Sequence, residues 1–214
     1  MAPDAQLLIM KVFGASGGAY DSDYFAAIED AIVLGCDAIN LSLGSSSPGF
    51  TYGYQYQSIL NSFATNPNCH AVVSISAGNA YAFDEEIASG LYAEDIAFHT
   101  GGSPGTFINS LCVASANNTS STTARENATV SDFSSWGVPG SLLMKPEITA
   151  PGGNIYSVYG RTSTIAANRY GYMSGTSMAA PHIAGLTALV AEYLREHPVK
   201  NEALTERYGT RAIM

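Results

Sequence analysis

The residues whose types and spacing could do chemistry lie in Ser174-Gly175-Thr176-Ser177-Met178-Ala179-Ala180-Pro181-His182. Ser177 opens an apolar helical pattern. Its hydroxyl therefore stands among unpaired backbone N–H groups at the positive end of a helix dipole, where an oxyanion forming beside it is stabilised. Small neighbours let a carbonyl group approach the backbone closely. These features suit nucleophilic acyl transfer, but a bare G-T-S is more often a serine that only caps a helix. His182, five residues on, is about 140° around the helix and about 7.5 Å along it, so it points away from the hydroxyl. His70 opens a strand at the end opposite its Gly78-Asn79 tip, and His197 follows the helix end. His99, in a loop, is the one imidazole whose position the sequence does not exclude as a base.

The elements that must position these groups follow from periodicity. QLLIMKVFG (6–14), DAINLSLG (37–44), HAVVSISAG (70–78) and SLCVASA (110–116) read as strands. SDYFAAIEDAIVLG (22–35), closed by Gly35, and YGYQYQSILNSFAT (52–65) read as helices. A long helix from Ser177 to about Arg195 places Leu186, Leu189, Val190 and Leu194 on one face. Strand–helix alternation with near-continuous apolar strands predicts an α/β fold with a parallel sheet flanked by helices. Residues 117–131, NNTSSTTARENATVS, are small and polar and read as a linker within a single domain spanning 1–214.

Composition narrows the function classes. Of 214 residues, 46% are apolar and only 13% charged, and 9 Lys and Arg against 18 Asp and Glu give a net charge of −9. Phosphate-backbone binding needs clustered cations, so nucleic acid is not an expected partner. No apolar run approaches the roughly 20 residues of a membrane span. The opening MAPDAQLLIMKV lacks the basic region and cleavage site of a signal peptide. Cys36, Cys69 and Cys112 have no metal-ligand spacing, each adjoins an apolar run, and all three are expected as buried structural thiols.

GTSMAAPHIAG (175–185) closely resembles the nucleophile motif of the subtilisin-like serine proteases. Further segments resemble that family in its own order. APDAQLLIMKVFG (2–14) is similar to the strand after the catalytic-His helix, INLSLG (39–44) to one side of the substrate cleft and SISAGN (74–79) to the other. DFSSWG (132–137) and KPEITAPG (145–152) resemble framework segments. The matches look most like the cell-envelope proteinases and C5a-peptidase-type subtilases of Gram-positive bacteria.

The resemblance implies a doubly wound, mainly parallel sheet with helices on both faces and a cleft at the carboxyl ends of its strands. It implies serine endopeptidase chemistry, with Ser177 as nucleophile and with Asn79 and the Ser177 N–H as oxyanion donors. Ser42-Leu43-Gly44 and Ser76-Ala77-Gly78, with Thr176, are then expected to bind a peptide as an added strand. It further implies peptide or protein substrates, no cofactor, and an extracellular or cell-wall location for the parent protein. Many members bind calcium, but no D-x-[DN]-x-[DN]-G loop occurs here. The acidic cluster Asp84-Glu85-Glu86 with Glu94-Asp95 could hold a cation such as calcium, but such runs are more often solvated loop faces, and with no supporting motif no metal site is assigned.

A subtilase triad runs Asp, His, Ser along the chain, and neither D-T-G nor H-G-T-H occurs in this sequence. The expectation is a catalytic-domain fragment truncated on its N-terminal side. Without a base, Ser177 keeps the pKa of an alcohol and the chain alone is inactive. The alternative is a peptide-binding module without turnover. The protease-associated domain that relatives insert is replaced here by the polar linker. Missing early strands are expected to leave an unpaired edge and uncovered apolar faces, and so to drive self-association.

Overall fold

The computed structural model describes residues 1–45, 54–66, 69–80, 100–117, 128–138, 143–159 and 169–198. Their elements are α1 (Asp21–Val33), β1 (Ala38–Leu41), α2 (Tyr54–Thr65), β2 (Val72–Ser76), β3 (Leu111–Asn117), β4 (Ile148–Gly153), β5 (Ile155–Tyr159), β6 (Arg169–Met173) and α3 (Thr176–Glu196). His99, the acidic cluster at 84–86 and 94–95, most of the polar linker and the tail from 199 lie outside the described residues.

Strands β1 to β4 form one sheet in that order. β2, β3 and β4 run parallel, with Ser74 opposite Leu111 and Val113 opposite Ile148. β5 and β6 make an antiparallel ribbon in which Tyr156 faces Tyr172. The expected α/β architecture with a mainly parallel sheet is the one observed. Its cause is visible in β3, where Cys112, Val113, Ala114 and Ser115 are all buried. A strand covered on both faces cannot alternate apolar with polar residues.

Two expectations are corrected. Residues 6–13 form no strand: no described residue takes their backbone hydrogen bonds, and Leu7 and Ile9 are 82% and 81% exposed. An apolar run becomes a strand only when a neighbour accepts its N–H and C=O groups. On α3 the buried stripe is Ala179, Ala180, Ile183, Thr187, Ala191 and Leu194, whereas Leu186 and Leu189 are exposed. The helical spacing is as expected, but the small residues take the inward side because they allow close approach. Ala179, Ala180 and Ile183 pack with Val113 and Ala150 in one cluster, with Leu111 and Ile148 against it.

The chain divides into two compact units, Met1–Asn40 with Gly53–Val73 and Ala184–Met214, and Leu41–Tyr52 with Ser74–Ile183. In the first, α1 buries Tyr24, Phe25, Ile28 and Ala31. It stops at Gly35, whose φ of +78° suits glycine and whose N–H bonds the Ile32 carbonyl at 3.0 Å. Arg195 pairs with Asp37 at 2.6 Å in the same unit. The second unit holds the segments built up in the next subsection.

All three cysteines are free, but only Cys112 is buried; Cys36 and Cys69 are half-buried, unlike the expectation for them. Burial pushes the Cys112 thiol up from 9.0 to about 12, partly offset by Lys145 and reinforced by Glu147. The unfolded thiol is the stronger acid, so it ionises first. The stabilisation is therefore full below pH 9 and declines as the pH rises from 9 toward about 12, by up to about 1.4 kcal/mol per pH unit. Alkylation of the native chain at pH 8, read by intact mass, is expected to mark Cys36 and Cys69 and to spare Cys112. An adduct on Cys112 without unfolding would refute this.

Candidate active site

Three short segments of the second unit meet at the amino end of α3. Gly78 turns the chain after β2 with φ +108°, a region open to glycine, and a Cβ there would stand 3.0 Å from Ser135 Oγ. That turn brings Asn79 to the helix. Asn79 Oδ1 accepts the Thr176 N–H at 2.8 Å and the Thr176 hydroxyl at 3.0 Å. Thr176 Oγ1 in turn accepts the Gly78 N–H at 3.1 Å.

With two donors on Oδ1, the Asn79 amide cannot flip without stranding both, so its orientation is fixed by the network. Its Nδ2 then lies beside Gly175, 3.4 Å from where a Cβ on that glycine would stand. Among the described residues Nδ2 has no acceptor, and neither the N–H nor the hydroxyl of Ser177 has a partner. Asn79 is exposed and Ser177 half-buried. Two unspent donors and a hydroxyl at the positive end of a 21-residue helix can stabilise negative charge on a carbonyl oxygen placed beside Ser177.

The expected peptide-binding segments divide. Ser42 is exposed, and its hydroxyl donates to the Ser177 carbonyl at 2.7 Å. The Leu43 carbonyl accepts Ser76 Oγ at 3.1 Å. Gly44 is exposed, and its N–H and C=O have no partner among the described residues. Ser76 and Ala77 are buried. The Ala77 N–H bonds the Val113 carbonyl at 3.0 Å, and the Ala77 carbonyl accepts the Gly102 N–H at 3.3 Å. The Gly78 carbonyl accepts the Ser135 N–H at 2.9 Å. Ala77 and Gly78 thus spend their backbone groups internally and cannot pair with an added strand as expected, whereas Gly44 can. Thr176 is fully buried, so it cannot touch a peptide in this conformation and acts through Asn79 and Gly78.

Two contributors escape the sequence reading. Ser135 holds both flanks of Asn79, since its Oγ also accepts the Ala80 N–H at 2.9 Å. The Gly152 carbonyl accepts the Gly175 N–H at 2.9 Å, and a Cβ on Gly152 would lie 2.6 Å from the Gly175 oxygen. Their only signals are the SSWG and APG strings inside the framework segments. His182 and His197 do not complete the site, and His99 lies outside the described residues. His182 Nδ1 donates to the Met178 carbonyl at 2.8 Å, and His197 Nδ1 to that of Tyr193 at 2.8 Å. Each bond anchors the ring within its own helical turn, and among the described residues neither imidazole is hydrogen-bonded to Ser177. Among the described residues no His, Cys, Asp and Glu group could hold a metal ion, and no helix is long and apolar enough to cross a membrane.

The Subtilase family profile matches residues 1–212. Over 207 residues the chain is 35% identical to a subtilisin of Bacillus sp. strain TA39, covering 90% of this chain and 42% of that one. A 65-residue stretch is 51% identical to the PII-type proteinase of Lactococcus lactis subsp. cremoris, covering 30% of this chain and 3% of the relative. Among solved structures, the prenylagaramide maturation protease PagA superposes with a TM-score of 0.61 at 22% identity, covering 87% of this chain and 55% of that chain. The chain thus spans less than half the length of the subtilisin it matches.

Proposed function

This chain belongs to the subtilase family of serine peptidases, and on that premise we propose that it carries the nucleophile half of a peptide-hydrolysing site. Ser177 Oγ attacks the scissile carbonyl carbon. As the carbonyl oxygen becomes negative it accepts hydrogen bonds from Asn79 Nδ2 and the Ser177 N–H. The substrate backbone pairs at Gly44. An acyl-enzyme forms, the amine leaves, and water releases the acid. Side chains and backbone donors suffice for this chemistry, and no cofactor is invoked.

The observation that carries the reading is the pinned Asn79 amide: Thr176 occupies its oxygen, and among the described residues its Nδ2 stays unspent beside the serine turn. The hydroxyl proton of Ser177 has no acceptor among the described residues, and no D-T-G or H-G-T-H string exists in the 214 residues. The chain alone is therefore inactive, and an Asp–His pair outside these residues supplies the base. An extracellular or cell-wall setting belongs to the same proposal and rests on the motif resemblance read from the sequence, together with the 65-residue likeness to the PII-type proteinase.

Hydrolysis of a fluorogenic peptide tests this. The chain alone should show none. The chain joined to a subtilase segment bearing D-T-G and H-G-T-H should show turnover that Ser177→Ala abolishes. Turnover surviving Ser177→Ala would overturn the assignment, and peptide binding without turnover in the joined protein would favour the non-catalytic module.

A second copy of this chain is the partner we propose for residues 6–13. Leu7, Leu8, Ile9 and Phe13 are exposed, and their backbone groups lack partners among the described residues. A segment that bares apolar side chains and backbone hydrogen-bonding groups together is the kind of surface that pairs with another chain. Lys11 is the one charge in the segment, and antiparallel two-fold pairing keeps the two Lys11 ammonium groups apart. Sedimentation equilibrium at low micromolar concentration is expected to give a dimer that Ile9→Lys dissociates. A monomer at every concentration would dismiss the pairing.

A further inference from the structure

The Ser177 carbonyl lies in the first turn of α3, where an α-helix would supply the N–H of residue 181 as its donor. Residue 181 is a proline inside the helix. It has no N–H, and its ring presses on the carbonyl four residues back. The missing donor comes from outside the helix, because Ser42 Oγ bonds the Ser177 carbonyl at 2.7 Å.

We propose that Ser42 is a positioning residue for Ser177: Pro181 frees the carbonyl, and the Ser42 hydroxyl takes it. The bond holds Ser177 by the one backbone group that the chemistry does not use. Its N–H and Oγ stay unspent among the described residues. It also ties the serine turn to the segment whose Gly44 has no backbone partner among the described residues, so nucleophile and peptide-binding edge keep a constant separation. The functional meaning rests on the reading of Ser177 as nucleophile; the compensation for proline does not.

A double-mutant cycle on the full 214-residue chain tests the compensation. Its readouts are the ¹³C resonance of the Ser177 carbonyl and the unfolding equilibrium. Ser42→Ala should move the carbonyl resonance toward the unbonded position and raise the unfolding constant about fivefold. Ser42→Thr, which keeps the hydroxyl, should restore both. In a Pro181→Ala background the N–H of residue 181 fills the site, so Ser42→Ala should lose most of its effect. An unmoved carbonyl resonance in Ser42→Ala, or an equal effect in both backgrounds, would overturn the proposal.

In the chain joined to the Asp–His segments, Ser42→Ala should lower kcat about tenfold with little change in KM. A loss confined to KM would remove the positioning role and leave Ser177 as nucleophile. Failure of that nucleophile assignment would show instead as turnover in Ser177→Ala, with the carbonyl resonance still responding to Ser42.

Discussion

Replacing Asn79 by alanine is expected to slow peptide hydrolysis by the base-complemented protein about 10²- to 10³-fold with KM nearly unchanged. That is the loss of about 3–4 kcal/mol known for removing one side-chain oxyanion donor in a subtilisin. The donor acts only once the carbonyl oxygen has become negative, which is why kcat carries the loss. Alanine also strands the Thr176 N–H and hydroxyl, both of which donate to Asn79 Oδ1. A stability loss of about 1–3 kcal/mol is expected alongside. Asn79→Asp separates the two effects. It keeps oxygen acceptors for Thr176 and so retains most of the stability, but it puts a carboxylate where the oxyanion forms and should be at least as inactive. Steady-state kinetics paired with urea unfolding checks both halves, and an active Asn79→Asp would disprove the donor role.

Glu147→Ala is expected to cost more stability than any other single change discussed above. Lys145 has a side chain only 4% exposed, ion-paired with Glu147. Its Nζ also donates to the Ser110 carbonyl at 2.8 Å and to Ser110 Oγ at 3.2 Å. The other Glu147 oxygen accepts the Cys112 N–H at 2.8 Å. Truncating Glu147 leaves a buried ammonium without its counter-charge and a β3 N–H without its acceptor. Breaking such a pair from one side costs about 3–5 kcal/mol. The lower end is expected because Glu147 is itself 34% exposed and solvent screens it. Glu147→Gln keeps an acceptor for Cys112 and should lose less. Urea unfolding at constant m-value reads both variants, and a loss under about 1 kcal/mol for Glu147→Ala would show the pair to be dispensable.

Much of this was legible in the residues. α1 and α3 carry a helical period with a glycine stop or a small-residue start, and β2 and β3 are apolar runs too short for helices. These signals are local, so the sequence alone places them. Residues 6–13 carry the same apolar signal, yet strand formation needs a partner that local pattern cannot supply. The inward face of α3 was misplaced for a related reason. Leucine outranks alanine in hydrophobicity, but close packing on β3 and β4 favours Ala179 and Ala180.

At the site, Ser177 and Asn79 stood out through motif order. What distinguishes Gly44 from Ala77 and Gly78 is where each spends its N–H and C=O, and that depends on Val113, Gly102 and Ser135, all distant in sequence. The same holds for Thr176, whose burial turns an expected contact residue into one that orients Asn79. The Ser42–Ser177 bond has one local clue, the proline four residues after the serine, but its donor comes from 135 positions away.

Active-site labelling with a fluorophosphonate, read by intact mass with Ser177→Ala as control, tests the central claim most directly. The account predicts no adduct on the 214-residue chain alone. It predicts one adduct, at Ser177, once the chain is joined to the Asp–His segments, and none when Ser177 is alanine. An adduct at Ser177 on the chain alone would contradict it, because a base would then be acting from within these residues or from a second copy.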